Sequence, residues 1–129
     1  MKLLLDTHIW LWYLLKNNKL STNLQNAIAD PSNELWLSPM SIWETIILAE
    51  KKRISLQPDV TTWIHLALSS LETFQAPLNH DIAILSRQIE LPHQDPADRF
   101  IVATAIHYQL ILATVDTRLI GAKWLQTMS

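Results

Sequence analysis

Four acids, Asp6, Glu44, Asp98 and Asp116, are the residues of this chain whose types and positions best support chemistry. They lie far apart in sequence, yet each falls where an apolar run ends or where a helix is about to begin. Four carboxylates gathered on one rim repel one another strongly unless cations sit between them. Hard divalent cations take carboxylate oxygens, and Mg²⁺ needs only one or two of these when water and substrate phosphate complete its shell. The chemistry that wants this arrangement is phosphodiester hydrolysis. There, metal ions lower the pKa of water and neutralise charge on the phosphate and the leaving oxygen. The chain contains no cysteine and a single glycine, Gly121. Thiolate nucleophiles, Cys-ligated zinc and Gly-rich phosphate loops are therefore excluded.

The elements that must position these acids alternate along the chain. Lys2-Leu3-Leu4-Leu5 reads as a buried strand, with Asp6 at its C-terminal end and a helix starting at once through Leu15. In open α/β sheets, ligands bind beyond the carboxyl ends of the strands, which is where Asp6 falls. Thr22 is a plausible N-cap for a short helix to Ala29, and Asp30-Pro31-Ser32-Asn33 stops it. Glu34–Leu37 reads as a second strand, followed by a helix from Ser38-Pro39 to about Lys52. Pro58-Asp59 opens a helix to about Leu71, Thr73–Ala76 suits a third strand, Asn79–Gln88 a helix, and 91–94 a loop. Asp95-Pro96 starts a helix through Tyr108. Leu110–Val115 is an apolar strand ending at Asp116, and a last strand is placed around Lys123-Trp124-Leu125. Strands that are continuous apolar runs, alternating with helices, predict an α/β fold with a central, mostly parallel sheet of four to five short strands and helices on both faces.

Taken singly, each acid also has a capping role. Asp6 can cap the first helix, and Ser41-Ile42-Trp43-Glu44 matches a capping box. Asp95 followed by Pro96 suits an N-cap and first helical position, with Asp98 favourable to the helix dipole. Asp116 can hold an Asx-turn.

Composition bounds the rest. The 129 residues, 49% apolar, suffice for one domain spanning 1–129 with one sizeable core. The apolar runs are far too short to span a bilayer, and the N-terminus does not read as a signal peptide, so a cytoplasmic protein with no membrane partner is expected. The net charge of −2 argues weakly against nucleic acid. Setting aside four of the 12 acids as metal ligands leaves 8 against 10 basic residues, so total charge decides little.

The segments around the acids resemble the PIN-domain nucleases, and within them the VapC-type toxins of bacterial toxin–antitoxin pairs. The resemblance is carried by Leu3-Leu4-Leu5-Asp6-Thr7-His8, by Ser41-Ile42-Trp43-Glu44, by the run from Asp95-Pro96-Ala97-Asp98-Arg99 to Ala105, and by Ala113-Thr114-Val115-Asp116-Thr117-Arg118-Leu119. They occur in family order and cover nearly the whole chain. The resemblance implies a PIN-like three-layer α/β/α architecture and an acidic quartet, Asp6, Glu44, Asp98 and Asp116, binding Mg²⁺ or Mn²⁺. It also implies endoribonuclease activity on RNA, a cognate antitoxin and a homodimer. Asp95 matches the motif too, as a cap or support, and Thr7 and Thr114 match as neighbours that orient carboxylates or waters. One departure is at Ala49-Glu50-Lys51, where many relatives carry glycine before the lysine.

Other polar and aromatic residues read mostly as structure. His8 suits a packed or hydrogen-bonded helix histidine, and His65, His80, His93 and His107 lack zinc-ligand spacing. The six tryptophans suit the core, with Trp43, beside Glu44, the one placed to stack on a base. Lys51, Lys52 and Arg53 read as a solvated helix end, and Arg99 and Arg118 as ion-pair partners or as contacts to the backbone of substrate or partner. In the first helix, Ile9, Trp10, Tyr13 and Leu14 are expected to face the sheet, leaving Leu11, Trp12 and Leu15 pointing elsewhere.

Rival functions fit less well. A haloacid-dehalogenase-type enzyme wants a second acid two residues after the first, where this chain has His8. A non-catalytic receiver-like signalling module wants a lysine after a late strand, where Thr117 follows Asp116. A PIN-type nuclease acting on DNA, and a PIN fold kept only for binding, remain as alternatives.

Overall fold

Lys2–Leu5 forms β1, and its three leucines are fully buried because the strand becomes the centre of the sheet. The computed structural model describes residues 1–92 and 94–129. After β1 come α1 (Thr7–Leu14), α2 (Thr22–Ala29), β2 (Glu34–Leu37), α3 (Pro39–Glu50) and α4 (Val60–Ser70). They are followed by β3 (Phe74–Gln75), α5 (His80–Gln88), α6 (Pro96–His107), β4 (Ile111–Ala113) and β5 (Thr127–Met128). The strand order is β3-β2-β1-β4-β5, and every pairing is parallel. The carboxyl ends of all five strands therefore share one edge.

The period of two along the strands divides the core into two layers. Leu3, Leu5, Leu35, Leu37 and Ala113 pack with Ile9, Trp10, Leu11, Leu24, Ile28 and Ala67 from α1, α2 and α4. Leu4 and Leu112 face the other way, onto Ile101, Val102 and Ala105 of α6, with Trp36 against the same cluster. The expected three-layer α/β/α arrangement is present, with a sheet that is wholly rather than mostly parallel.

Several local expectations are corrected. The cap of α2 is Ser21, whose hydroxyl accepts from the Leu24 amide, rather than Thr22. The expected start of α3 at Ser38-Pro39 holds, with Ser38 as the cap; Ser41 therefore lies inside the first turn, and the alternative capping box at Ser41–Glu44 does not form. Strand β4 stops at Ala113 rather than Val115, because the Thr114 hydroxyl accepts the Asp116 amide and turns the chain. The last strand is Thr127–Met128 rather than 123–125, since buried Leu125 serves as a core anchor at the end of a series of turns. Leu11 is buried, while Tyr13 and Leu14 are only half-buried, so the inward face of α1 is rotated from the expected one. The 91–94 loop includes His93, which lies outside the described residues.

Three helices end alike. After α1, α3 and α6, the residues Lys16 (φ 55°), Lys52 (φ 58°) and Gln109 (φ 57°) adopt the left-handed conformation. In each case the next amide reaches back to close the last turn: Asn17 to Trp12, Arg53 to Leu48, and Leu110 to Ala105. These are Schellman motifs without the usual glycine. The missing glycine noted near Lys51 thus leaves the turn intact, with Lys52 taking the left-handed position.

Among the described residues, no helix is long and apolar enough to cross a membrane.

Candidate active site

The parallel register places the first acid. Leu5 pairs with Ala113 across β1 and β4, and the Asp6 amide continues the ladder to the Ala113 carbonyl at 3.0 Å. Asp6 and Thr114 thus leave the sheet side by side. The Thr114 hydroxyl donates to Asp6 Oδ2 at 2.8 Å, and the Thr7 amide donates to Asp6 Oδ1 at 2.8 Å. Asp6 therefore caps α1 and sits on the site rim at once. Burial pushes its carboxyl above the usual range, while these two hydrogen bonds and nearby His8 act in the opposite direction.

Two further acids come from helix starts. Glu44 lies in the second turn of α3, half-buried, and its carboxyl is raised by burial, opposed first by the Thr7 hydroxyl. That hydroxyl also lies 3.1 Å from Ser41 Oγ; a hydroxyl has one proton to give and lone pairs to accept with, so it can pair with both neighbours at once. Asp98 lies in the first turn of α6, where Asp95 is the N-cap, accepting from the Ala97 and Asp98 amides. Glu44, Asp95 and Asp98 each offer an oxygen within 4.8 Å of the other two. Asp98 feels the crowding most: burial, then the charges of Asp95, Asp6, Glu44 and Asp116, push its carboxyl up to about 7.

Asp116 follows β4 and holds the expected Asx-turn, accepting the Arg118 amide at 3.0 Å. Its carboxylate also takes two charge-assisted bonds from the Arg118 side chain, at 3.0 and 2.8 Å. Arg118 reaches on to Asp98 Oδ2 at 3.7 Å, so it is an ion-pair partner as expected. Its guanidinium is held in the charged form chiefly by Asp116.

All four expected acids thus meet at one edge, but unequally. Glu44 and Asp98 form the tight centre together with Asp95. Asp6 is fixed by threonine and backbone donors, and Asp116 is engaged by Arg118. The sequence reading gave Asp95 a capping role, which it fills; it is also one of the three closest oxygens. The signal was present in the spacing, since residues three apart share a helix face.

Arg99 is corrected to a structural role. It is buried at 4% exposure and donates to the carbonyls of Ser86 and Ile89, both at 2.8 Å, and of Leu91 at 3.5 Å. It ties the end of α5 and the following loop onto α6. His8 is exposed on the rim, its ring 6.0 Å from that of Trp12. Trp10 is fully buried, whereas Trp43 and Trp124 are 48% and 44% exposed.

Known proteins share this architecture. The family model described as the PIN domain matches residues 3–125. Ribonuclease VapC22 of Mycobacterium tuberculosis is 33% identical over 119 residues, covering 90% of this chain and 88% of that protein. Among solved structures, VapBC-1 from nontypeable Haemophilus influenzae superposes with a TM-score of 0.67 at 19% identity, over 100% of this chain and 98% of that one. VapBC2 from Rickettsia felis, bound to a DNA fragment from its promoter, gives 0.66 at 15% identity over 99% and 98%. At such low identity these two structures speak for the fold. With a family match over nearly the whole length and a relative of this similarity, the chain belongs to the PIN domain family, in its VapC ribonuclease branch.

Proposed function

We propose that this protein is a divalent-cation-dependent endoribonuclease, the toxin of a toxin–antitoxin pair, with Asp6, Glu44, Asp98 and Asp116 as its metal-binding and catalytic carboxylates. The observation that carries this reading is the meeting of Glu44, Asp95 and Asp98 oxygens within 4.8 Å of one another at the carboxyl edge of the sheet. An all-oxygen donor set with strong mutual repulsion fits a hard cation, Mg²⁺ or Mn²⁺, and not a soft one. When bound, the cation supplies Lewis-acid chemistry, lowering the pKa of water and offsetting phosphate charge.

The chain's own residues do the positioning. Thr114 and the Thr7 amide fix the Asp6 carboxylate in one rotamer, so its orientation is set before any ligand arrives. Asp95, anchored as the cap of α6, holds that helix start and Asp98 against Glu44. Arg118 balances Asp116 and Asp98 on the open side. The antitoxin, by analogy with the VapBC assemblies, and a homodimer of this chain are the protein partners in this reading.

The test is cleavage of a panel of structured and unstructured RNAs, and of DNA, with Mg²⁺, with Mn²⁺ and with excess chelator. RNA cleavage that chelator abolishes is expected. Full cleavage in chelator refutes the metal role, and cleavage confined to DNA replaces RNA as the substrate.

A further inference from the structure

A cleft of about 510 Å³ runs from the acids along α3. Its lining includes the acids Glu44 and Asp95, the aromatic Trp43, the apolar Ile47, and the cations Lys51 and Arg53. Glu44 and Lys51 are seven residues apart on one helix, about 10 Å by helical rise. The sequence alone suggested a merely solvated helix end at Lys51–Arg53. The geometry instead turns two of its three cations into the lining of a groove that leads to the carboxylates.

We infer that this cleft is the track for an unpaired stretch of the RNA strand: Trp43 stacks on a base next to the cleaved linkage, and Lys51 and Arg53 hold a backbone phosphate further along. The inference rests on the ribonuclease reading above. Two observations carry it. Trp43 is 48% exposed although it adjoins Glu44, so a large π-face is left open at the site. Stacking on such a face requires an unpaired base and tolerates any of the four. Lys51 and Arg53 are exposed cations in a chain of net charge −2, and the acids Glu44 and Asp95 line the same groove about two helical turns away. A phosphate is drawn to the cationic end and repelled from the acidic end until a divalent cation sits there. The strand is therefore seated in one place, with the linkage to be cut left over the carboxylates.

The test measures binding of a fluorescein-labelled polyuridine strand of about twelve nucleotides by anisotropy, in chelator and in Ca²⁺, across a salt series. The proteins are the wild type, Trp43→Ala, Trp43→Phe and Lys51→Ala/Arg53→Ala. Trp43→Ala is expected to weaken binding about tenfold and Trp43→Phe much less. Removing both cations should reduce the slope of log affinity against log salt by about 0.7, the share of the one phosphate they hold on a single strand. A blunt RNA duplex should bind equally weakly to all four proteins. Unaltered strand affinity and salt slope in the variants overturn the track, even where the wild type cleaves RNA. Wild-type protein that cleaves no RNA overturns the nuclease reading, and the anisotropy series then judges the track separately.

Discussion

Arg118 Nη2 lies 2.8 Å from Asp116 Oδ2 and 3.7 Å from Asp98 Oδ2, so one cation spans acids delivered by the end of β4 and the start of α6. A divalent ion entering the site competes with it. Arg118→Ala is expected to lower the melting temperature of the metal-free protein and to tighten Mg²⁺ binding about two- to fivefold, the scale of a solvent-exposed ion pair. Thermal shift against Mg²⁺ concentration measures both. An unchanged Mg²⁺ midpoint together with a raised KM for RNA would instead make Arg118 a substrate contact.

Asp6→Asn and Asp98→Asn each keep the shape of the side chain and remove the charge. Cleavage should fall by at least about a hundredfold in either variant, in line with loss of a group that orders the reacting centre, with the far-ultraviolet spectrum unchanged. Near-native activity in either would remove that residue from the catalytic set. Ca²⁺ should bind the wild type but support little turnover, because its larger, looser shell positions water and phosphate poorly.

The Asp98 carboxyl, pushed up to about 7 by burial and by four neighbouring acids, makes the metal-free protein sensitive to pH. In the folded state it keeps its proton to near neutrality; in the unfolded chain it releases it near its ordinary 3.8. Between these values the folded state binds more protons, so stability falls as pH rises from about 4 to about 7. Asp6 and Glu44 shift in the same direction. The metal-free melting temperature should therefore drop by about 5 °C from about pH 5 to about pH 8. Mg²⁺ should restore it, and Asp98→Asn should flatten the slope. A metal-free curve that rises over this range contradicts the assignment.

Trp12 is half-buried on the outer side of α1, with the Lys19 ammonium 6.0 Å from its ring centre, and it lines a surface cavity with Tyr13, Leu14, Lys16 and Leu20. Partly buried aromatic and aliphatic side chains around a surface cavity offer apolar area that a partner can cover. Trp12→Glu should weaken dimerisation or antitoxin binding about tenfold or more while RNA cleavage persists. Sizing chromatography of the variant, alone and with antitoxin, reads the effect; unchanged assembly removes Trp12 from the interface.

The path from residues to site was legible where local chemistry is decisive. Leu3–Leu5 could only be a buried strand, and Asp6 after it had to emerge at the sheet edge. Asp95-Pro96 and Asn79 announced their helices, and both act as caps in the structure. What escaped depends on contacts distant in sequence. Arg99 sits one residue from Asp98, yet it reaches the carbonyls of Ser86, Ile89 and Leu91, 8 to 13 residues away. Short terminal strands carry almost no periodic signal, so a last strand read at Lys123-Trp124-Leu125 lies at Thr127–Met128 instead.

The left-handed residues Lys16, Lys52 and Gln109 that follow three helices leave strain in the backbone that glycine would relieve. A residue with a Cβ held at φ near +57° costs about 1 kcal/mol relative to glycine, and this chain meets that cost three times with one glycine in its whole length. Neither Lys16 nor Gln109 lines the cleft beside Glu44 and Asp95. The fold therefore keeps an untapped reserve of thermal robustness at sites separate from its chemistry, which glycine at either position would release without touching the carboxylates.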